Sequence, residues 1–127
     1  MFVFIVAPHS FDPRFEKKIR VISEVADGLG VRISWAAPAS IKDAAGESIG
    51  LGNLRLADAV IGDLSFERPS CYFEVGLACG LNKPIFLIAE KGTHLHQVVG
   101  RDAVEFYSDM GEYRGLVEKA LLHAAGR

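Results

Sequence analysis

The chain has little that could staple it covalently or through a metal. Among its 127 residues are two cysteines, Cys71 and Cys79. Both fall in one expected helix, which sets their Cα atoms about 12 Å apart, too far for a disulfide. No His or Cys partners stand at metal-ligand spacing. His94 and His96 come nearest, without two further ligands, and read as part of a solvated loop. No metal and no cofactor is expected. No apolar run approaches the roughly 20 residues of a membrane span. Lys and Arg number 14 against 16 Asp and Glu, a formal charge of −2 with a pI near 6.1. That balance leaves no electrostatic footprint for nucleic acid or an anionic membrane. Internal repeats, linkers and low-complexity segments are missing too. The opening run Met1–Ala7 is too short for a signal peptide and lacks a basic n-region. It reads as a first strand, and the cytoplasm is the expected compartment.

What is present is apolar: half of the residues are hydrophobic, and mean hydropathy is +0.21. Disorder is a poor reading of that composition. The length suits one domain, residues 1–127, large enough to bury a core.

The apolar residues come in alternating patterns. Phe2–Ala7 is a continuous run with β-branched and aromatic residues, hence a buried strand. Asp12-Pro13 has the form of a helix start, Asp as N-cap and Pro at the first position. Phe15, Ile19, Ile22, Val25 and Ala26 give that helix an apolar stripe, and Gly28 and Gly30 end it. Val31–Ala36 is a second strand. In Pro38–Leu56 the positions Ile41, Ala44, Ala45, Ile49 and Leu56 suggest a helix, broken or bent by Gly46, Gly50 and Gly52. Ala59–Asp63 is a third strand. Ser70 then caps a helix to Leu81, stopped by Asn82. Pro84–Ala89 is a fourth strand, Gly92–Gly100 a loop, Ala103–Tyr107 a short fifth strand. Met110–Ala125 is a closing helix with a stripe of Tyr113, Leu116, Val117, Ala120 and Leu121.

Continuous apolar strands alternating with amphipathic helices mean an α/β fold with a parallel sheet covered on both faces. Five strands at this length fit a flavodoxin-like, three-layer domain of order 2-1-3-4-5. In such a sheet ligands bind beyond the carboxyl ends of the strands, where the order reverses, here between strands one and three. Two loops meet there: Pro8-His9-Ser10-Phe11-Asp12, and Leu64 through Ser70. Two helix N-termini also point there, which suits an anion. Neither loop is a Walker A or GxGxxG sequence, so a P-loop ATPase and a dinucleotide oxidoreductase fit poorly. A phosphoreceiver needs an acidic pair after strand one, where this chain has Pro8-His9. An FMN domain wants a Ser/Thr/Gly-rich loop there, and only Ser10 offers itself.

Two carboxylates are aimed at that edge. Asp63 ends strand three, and Glu74 lies about one turn into the following helix. A lone Glu there is commonly a solvated acid favoured by the helix dipole, and Asp63 could equally cap the next loop's amides. Tyr72, Phe73, Gly76 and Ala78 are the company that lifts the functional reading, the small residues letting the helix lie close to the strands.

Around these residues the sequence resembles the nucleoside 2-deoxyribosyltransferase-like family. The matching stretches are Ala57-Asp58 to Asp63-Leu64-Ser65, then Ser70-Cys71-Tyr72-Phe73-Glu74-Val75-Gly76-Leu77-Ala78, then Lys83-Pro84-Ile85. The opening Phe4-Ile5-Val6-Ala7-Pro8 with Phe11 is similar to the family's first strand and loop. Cys71-x-x-Glu74 also resembles the helix of distant TIR-like domains. The resemblance implies N-glycosidic chemistry on a nucleoside, a nucleotide or an NAD-like dinucleotide. Glu74 would attack the anomeric carbon of the sugar and form a covalent glycosyl-enzyme, because a nearby carboxylate stabilises and can trap an oxocarbenium-like transition state. The helix N-terminus would keep it ionised. Asp63 would orient sugar hydroxyls or protonate the base, and Tyr72 or Phe11 would stack on base or sugar. Arg14, Ser10, Ser65 and Arg68 are the candidates for a 5′-phosphate, and Pro8 and Ser70 complete the expected substrate-binding set. Ser70 stands where the family has Asn. The tail, Leu122 to Arg127, has no Asn or aromatic like the residue the transferases borrow from a neighbouring subunit, so hydrolysis stays open beside base exchange. Analogy implies a homodimer or larger homo-oligomer. The competing reading from another class is a non-catalytic nucleotide-binding or TIR-like signalling module using the same crevice.

Overall fold

The computed structural model of the protein describes residues 1–35, 49–96 and 101–127. Within them β1 (Phe2–Val6), β2 (Arg32–Trp35), β3 (Ala59–Asp63), β4 (Ile85–Glu90) and β5 (Glu105–Tyr107) form one sheet. The order is β2-β1-β3-β4-β5 and every pairing is parallel. Val3 pairs with Ala59, and Asp63 pairs with Ile88, so β4 reaches two residues beyond the end of β3.

The central strands have no solvent face. All of β3 is buried, as are Val3 to Val6 of β1. On one side α1 (Phe15–Leu29) and α4 (Met110–Ala124) cover Val3, Ile5, Ile61 and Ile88 with Ile22, Val25, Val117 and Leu121. On the other side α2 (Ile49–Leu56) and α3 (Pro69–Gly80) cover Phe4, Val60 and Leu87 with Leu54, Cys71, Val75 and Ala78. This is the flavodoxin-like architecture that the strand pattern predicts.

The element ends differ in informative ways. α1 starts at Phe15, with Arg14 rather than Asp12 as N-cap. Asp12 is instead buried and accepts from the Arg14 N–H at 2.8 Å. Its other oxygen pairs with Lys18, an attraction stronger than a cap. Gly28 lies within α1, and the helix stops at Gly30, whose φ of 70° suits a residue without Cβ. Ser70 does not cap α3: the helix begins at Pro69, Arg68 is the N-cap, and no side chain caps it. Pro at the first position leaves one fewer N–H to satisfy, and the Cys71 N–H is taken by the Arg68 carbonyl at 3.0 Å. Asn82, at φ 56°, turns the chain out of α3. Ala103, expected to open β5, instead ends a 3₁₀ turn, Arg101–Ala103, and β5 starts at Glu105. The expected helical positions Ile41, Ala44 and Ala45, and the end of the 92–100 loop, lie outside the described residues.

One glycine fixes the distance between α3 and the sheet, and it is not Gly76. Gly76 is exposed, and a Cβ there would meet nothing. A Cβ on Gly62, in β3, would stand 3.0 Å from Val75 Cγ2 and 3.1 Å from Leu87 Cδ2.

Candidate active site at the carboxyl edge of the sheet

Asp63 is the centre of the edge. It is 3% exposed. Its Oδ1 accepts from the Ser65 N–H at 3.0 Å and from Ser65 Oγ at 2.6 Å. Its Oδ2 accepts from Tyr107 Oη at 2.7 Å and from Lys18 Nζ at 3.4 Å. The side chain therefore ties the loop after β3 to β5 and α1. Burial and the Asp63 charge both push the Tyr107 phenol well above its usual range, so Tyr107 acts as a neutral donor.

Lys18 is the second hub. Its ammonium is buried and meets Asp12, Asp63 and Glu90, the last at 3.0 Å. It also lies over the Tyr107 ring, 5.0 Å from the centroid. Burial opposes its charge, and the surrounding carboxylates outweigh that, so its pKa is raised. Glu90, at the end of β4, takes Arg14 as well, at 2.5 Å. Burial resists the Glu90 charge, and the hydrogen bonds from Lys18 and Arg14 overcome it, holding this carboxyl below its usual range. Acids from three carboxyl-edge segments thus share two cations from α1 and its cap.

Glu74 is different. It is half-buried on α3 and, among the described residues, makes no hydrogen bond or ion pair. Burial alone raises its pKa to about 7. The helix N-terminus therefore does not keep Glu74 in the ordinary carboxylate range. Cys71 lies within the fields of both acids: burial first, then Glu74 and Asp63, push its thiol up to about 12. Both acids thus lie near the Cys71 thiol, in the first turn of α3. The raised pKa makes Cys71 an inert packing residue.

The other expected site residues divide between reach and structure. Phe11 is 56% exposed, and the Arg68 guanidinium lies 3.4 Å from its ring centroid, so the loops after β1 and β3 do meet. Among the described residues Arg68 has no carboxylate partner. Arg14 is engaged by Glu90. Ser65 is fully buried, with Oγ donating to Asp63 and accepting from the Glu90 N–H at 2.8 Å. Tyr72 donates to Glu67 Oε1 at 2.8 Å, and His96 joins the same oxygen. Pro8 is buried and Ser70 exposed. Ser10 lies in the short turn His9–Phe11, and its side chain is outside the description.

Lys18, Glu90 and Tyr107 were not singled out by sequence. Two of them carried a signal. Lys18 lies three residues after Phe15 and four before Ile22, on the apolar stripe of α1. Glu90 closes an apolar strand just as Asp63 does. Phe66 and Glu67 hold φ of 64° and 47° in the loop after β3, a conformation that favours glycine. Strain of this kind gathers at functional sites. The same loop walls an open cleft of about 380 Å³ with Glu90, Lys91, Thr93 and His94. Among the described residues no group of His, Cys, Asp and Glu could hold a metal ion. Among them, too, no helix is long and apolar enough to cross a membrane.

No family model and no curated protein sequence matches the chain. Solved structures do. A CMP N-glycosidase of Clostridium botulinum superposes with a TM-score of 0.68 at 17% identity, covering 96% of this chain and 99% of its own. A 2-deoxyribosyltransferase of Bacillus psychrosaccharolyticus gives 0.64 at 13% identity, with 90% of each chain covered. A 2-deoxyribosyltransferase from Leishmania mexicana gives 0.63 at 18% identity, over 93% and 97%. At such identities the likeness speaks for the fold: this chain has the flavodoxin-like fold of the nucleoside 2-deoxyribosyltransferases.

Proposed function

We propose that the protein cleaves or transfers the N-glycosidic bond of a nucleoside or nucleotide, with Glu74 as nucleophile. The observation that carries this is the state of Glu74: a half-buried carboxyl with no partner among the described residues, on the helix that follows the carboxyl end of β3. Withholding water from an unpaired carboxyl costs stability, and such groups gather where chemistry needs them. A desolvated carboxylate is also a stronger nucleophile than a hydrated one. A Glu74 oxygen bonds to the anomeric carbon as the carbon–nitrogen bond breaks. The base leaves with the electron pair and takes a proton from water at the open edge. Water, or a second base, then bonds to the anomeric carbon and releases the Glu74 carboxylate, a water proton passing to solvent. Asp63 serves by fixing Ser65, Tyr107 and Lys18; contact with a sugar hydroxyl requires exchange of one of those bonds. Arg68, stacked on Phe11 and free of acids among the described residues, is the better candidate for a phosphate than Arg14. The fold shared with a CMP N-glycosidase supports a nucleotide as substrate.

The test is base release from a panel of nucleosides, 5′-nucleotides and NAD, followed by chromatography. Glu74→Gln should lower release about a thousandfold or more while the fold survives. The nucleophile must be ionised, so kcat/KM should climb about tenfold per pH unit below 7 and level off above it. Unchanged release by Glu74→Gln would place the site elsewhere. If no base is released yet nucleotides raise the melting temperature, the reading as a non-catalytic binding or TIR-like module is favoured.

A further inference from the structure

Glu90 is held in an unusual way. Its backbone N–H donates to Ser65 Oγ at 2.8 Å, and its Cα pairs with Tyr107 of β5. Both cations bind one oxygen: Lys18 Nζ at 3.0 Å and Arg14 Nη2 at 2.5 Å, each on Oε1. Among the described residues nothing donates to Oε2. The side chain is 22% exposed and lines the cleft of about 380 Å³, beside the half-exposed ring of Phe66. A carboxylate pinned at the main chain and at one oxygen offers its second oxygen in a fixed direction. An ionised carboxylate only accepts hydrogen bonds, and it repels phosphate.

We infer that Glu90 is a specificity-determining residue: Oε2 accepts a hydrogen bond from a neutral donor of the substrate, an exocyclic base amine or a sugar hydroxyl. This rests on the cleft serving the nucleoside or nucleotide of the glycosidic reading. The two donors are separated by substrate pairs, cytidine against uridine and adenosine against inosine for the amine, ribosides against 2′-deoxyribosides for the hydroxyl, each also as the 5′-monophosphate.

Glu90→Gln is the discriminating variant. The amide oxygen stays on Lys18 and Arg14, and the amide nitrogen takes the place of Oε2, turning the acceptor into a donor. Binding is read by ligand-induced melting shifts and by titration calorimetry, and turnover by base release. Wild type should prefer the member of a pair that carries the extra donor by about tenfold or more. Glu90→Gln should lose that preference. Loss confined to amino/oxo pairs assigns the base, and loss confined to ribo/deoxy pairs assigns the sugar. Glu90→Asp keeps the charge and withdraws the oxygen by one methylene; it should lose the same preference, and it decides the matter should Glu90→Gln fail to fold. Preferences unchanged in the folded variant would overturn the inference and leave Glu90 a purely structural clasp, as would a wild type that binds no member of the panel. Because binding is read apart from turnover, a protein that binds with these preferences but releases no base sinks the glycosidase reading and not this one.

Discussion

At the scale of single residues, the carboxyl edge sets opposite electrostatic problems side by side. Lys18 is buried against Asp12, Asp63 and Glu90, so its removal leaves negative charges facing one another without a shared cation. Breaking a buried ion cluster by deleting one partner costs about 3–5 kcal/mol. Lys18→Met should lose stability of that order at pH 7 in denaturant titrations. The deficit should shrink toward pH 4, where the uncompensated carboxyls of the variant take up protons. In the wild type the raised Lys18 pKa acts the other way: its contribution is intact below about 10.5 and fades only as pH climbs through the higher folded value. Glu74 carries the reverse sign. Its folded pKa of about 7 exceeds the ordinary 4.5, so the native state binds more protons between those values and wild-type stability falls as pH rises through that window. Glu74→Gln removes this cost. The variant should be at least as stable as wild type above pH 7, the gain vanishing near pH 4.5, while base release is lost. A variant destabilised at every pH would show Glu74 to be a structural residue.

At the scale of elements, the helix that carries Glu74 is positioned by the strand that ends in Asp63. Val75 of α3 touches the face of β3 at Gly62, where a methyl group would stand 3.0 Å from Val75 Cγ2 and 3.1 Å from Leu87 Cδ2. Both neighbours lie in a packed core, and overpacking of that kind costs about 1–3 kcal/mol. Gly62→Ala should therefore lower the urea midpoint at unchanged m-value and reduce kcat, because α3 shifts outward with Glu74. Full activity in Gly62→Ala would mean that the spacing is not critical. The elements themselves were legible to differing degrees. Ala59–Asp63 could be read to the residue, because a strand buried on both faces is written as an unbroken apolar run closed by a polar residue. The strand order followed from alternation with helices. The start of α1 departs from its local signal because Asp12 has the form of a cap but is drawn to Lys18, six positions on, a pairing that the cap pattern does not contain. The place of Glu74 on α3 is legible from local spacing. The clasp on Glu90 is not, since Arg14, Lys18, Ser65 and Tyr107 reach it from separate parts of the chain.

At the scale of the molecule, a parallel sheet gives the protein two unlike ends. The amino edge is closed by its own chain: the Phe2 N–H donates to Asp58 Oδ2 at 2.8 Å, and Lys83 Nζ donates to the Arg55 carbonyl at 2.6 Å. The carboxyl edge holds Asp63, Glu90 and the strained turn at Phe66, with its cleft open to solvent. Helices cover both faces between the ends, leaving a pocket of about 280 Å³ between β4, β5 and α4. The carboxyl edge is the expected end for a nucleotide, and hydrogen exchange can locate it. Ligand at about a hundred times its Kd stabilises the native state by about 2.7 kcal/mol, enough to slow exchange wherever opening requires release. Local slowing should appear at residues 8–14, 64–74 and 90–96. The turns around Asp58 and Lys83 open without disturbing the far edge, and their amides should exchange as in the free protein. Slowing centred on the Asp58 and Lys83 turns instead would put the ligand at the wrong end of the sheet. It would remove the basis for assigning chemistry to Glu74.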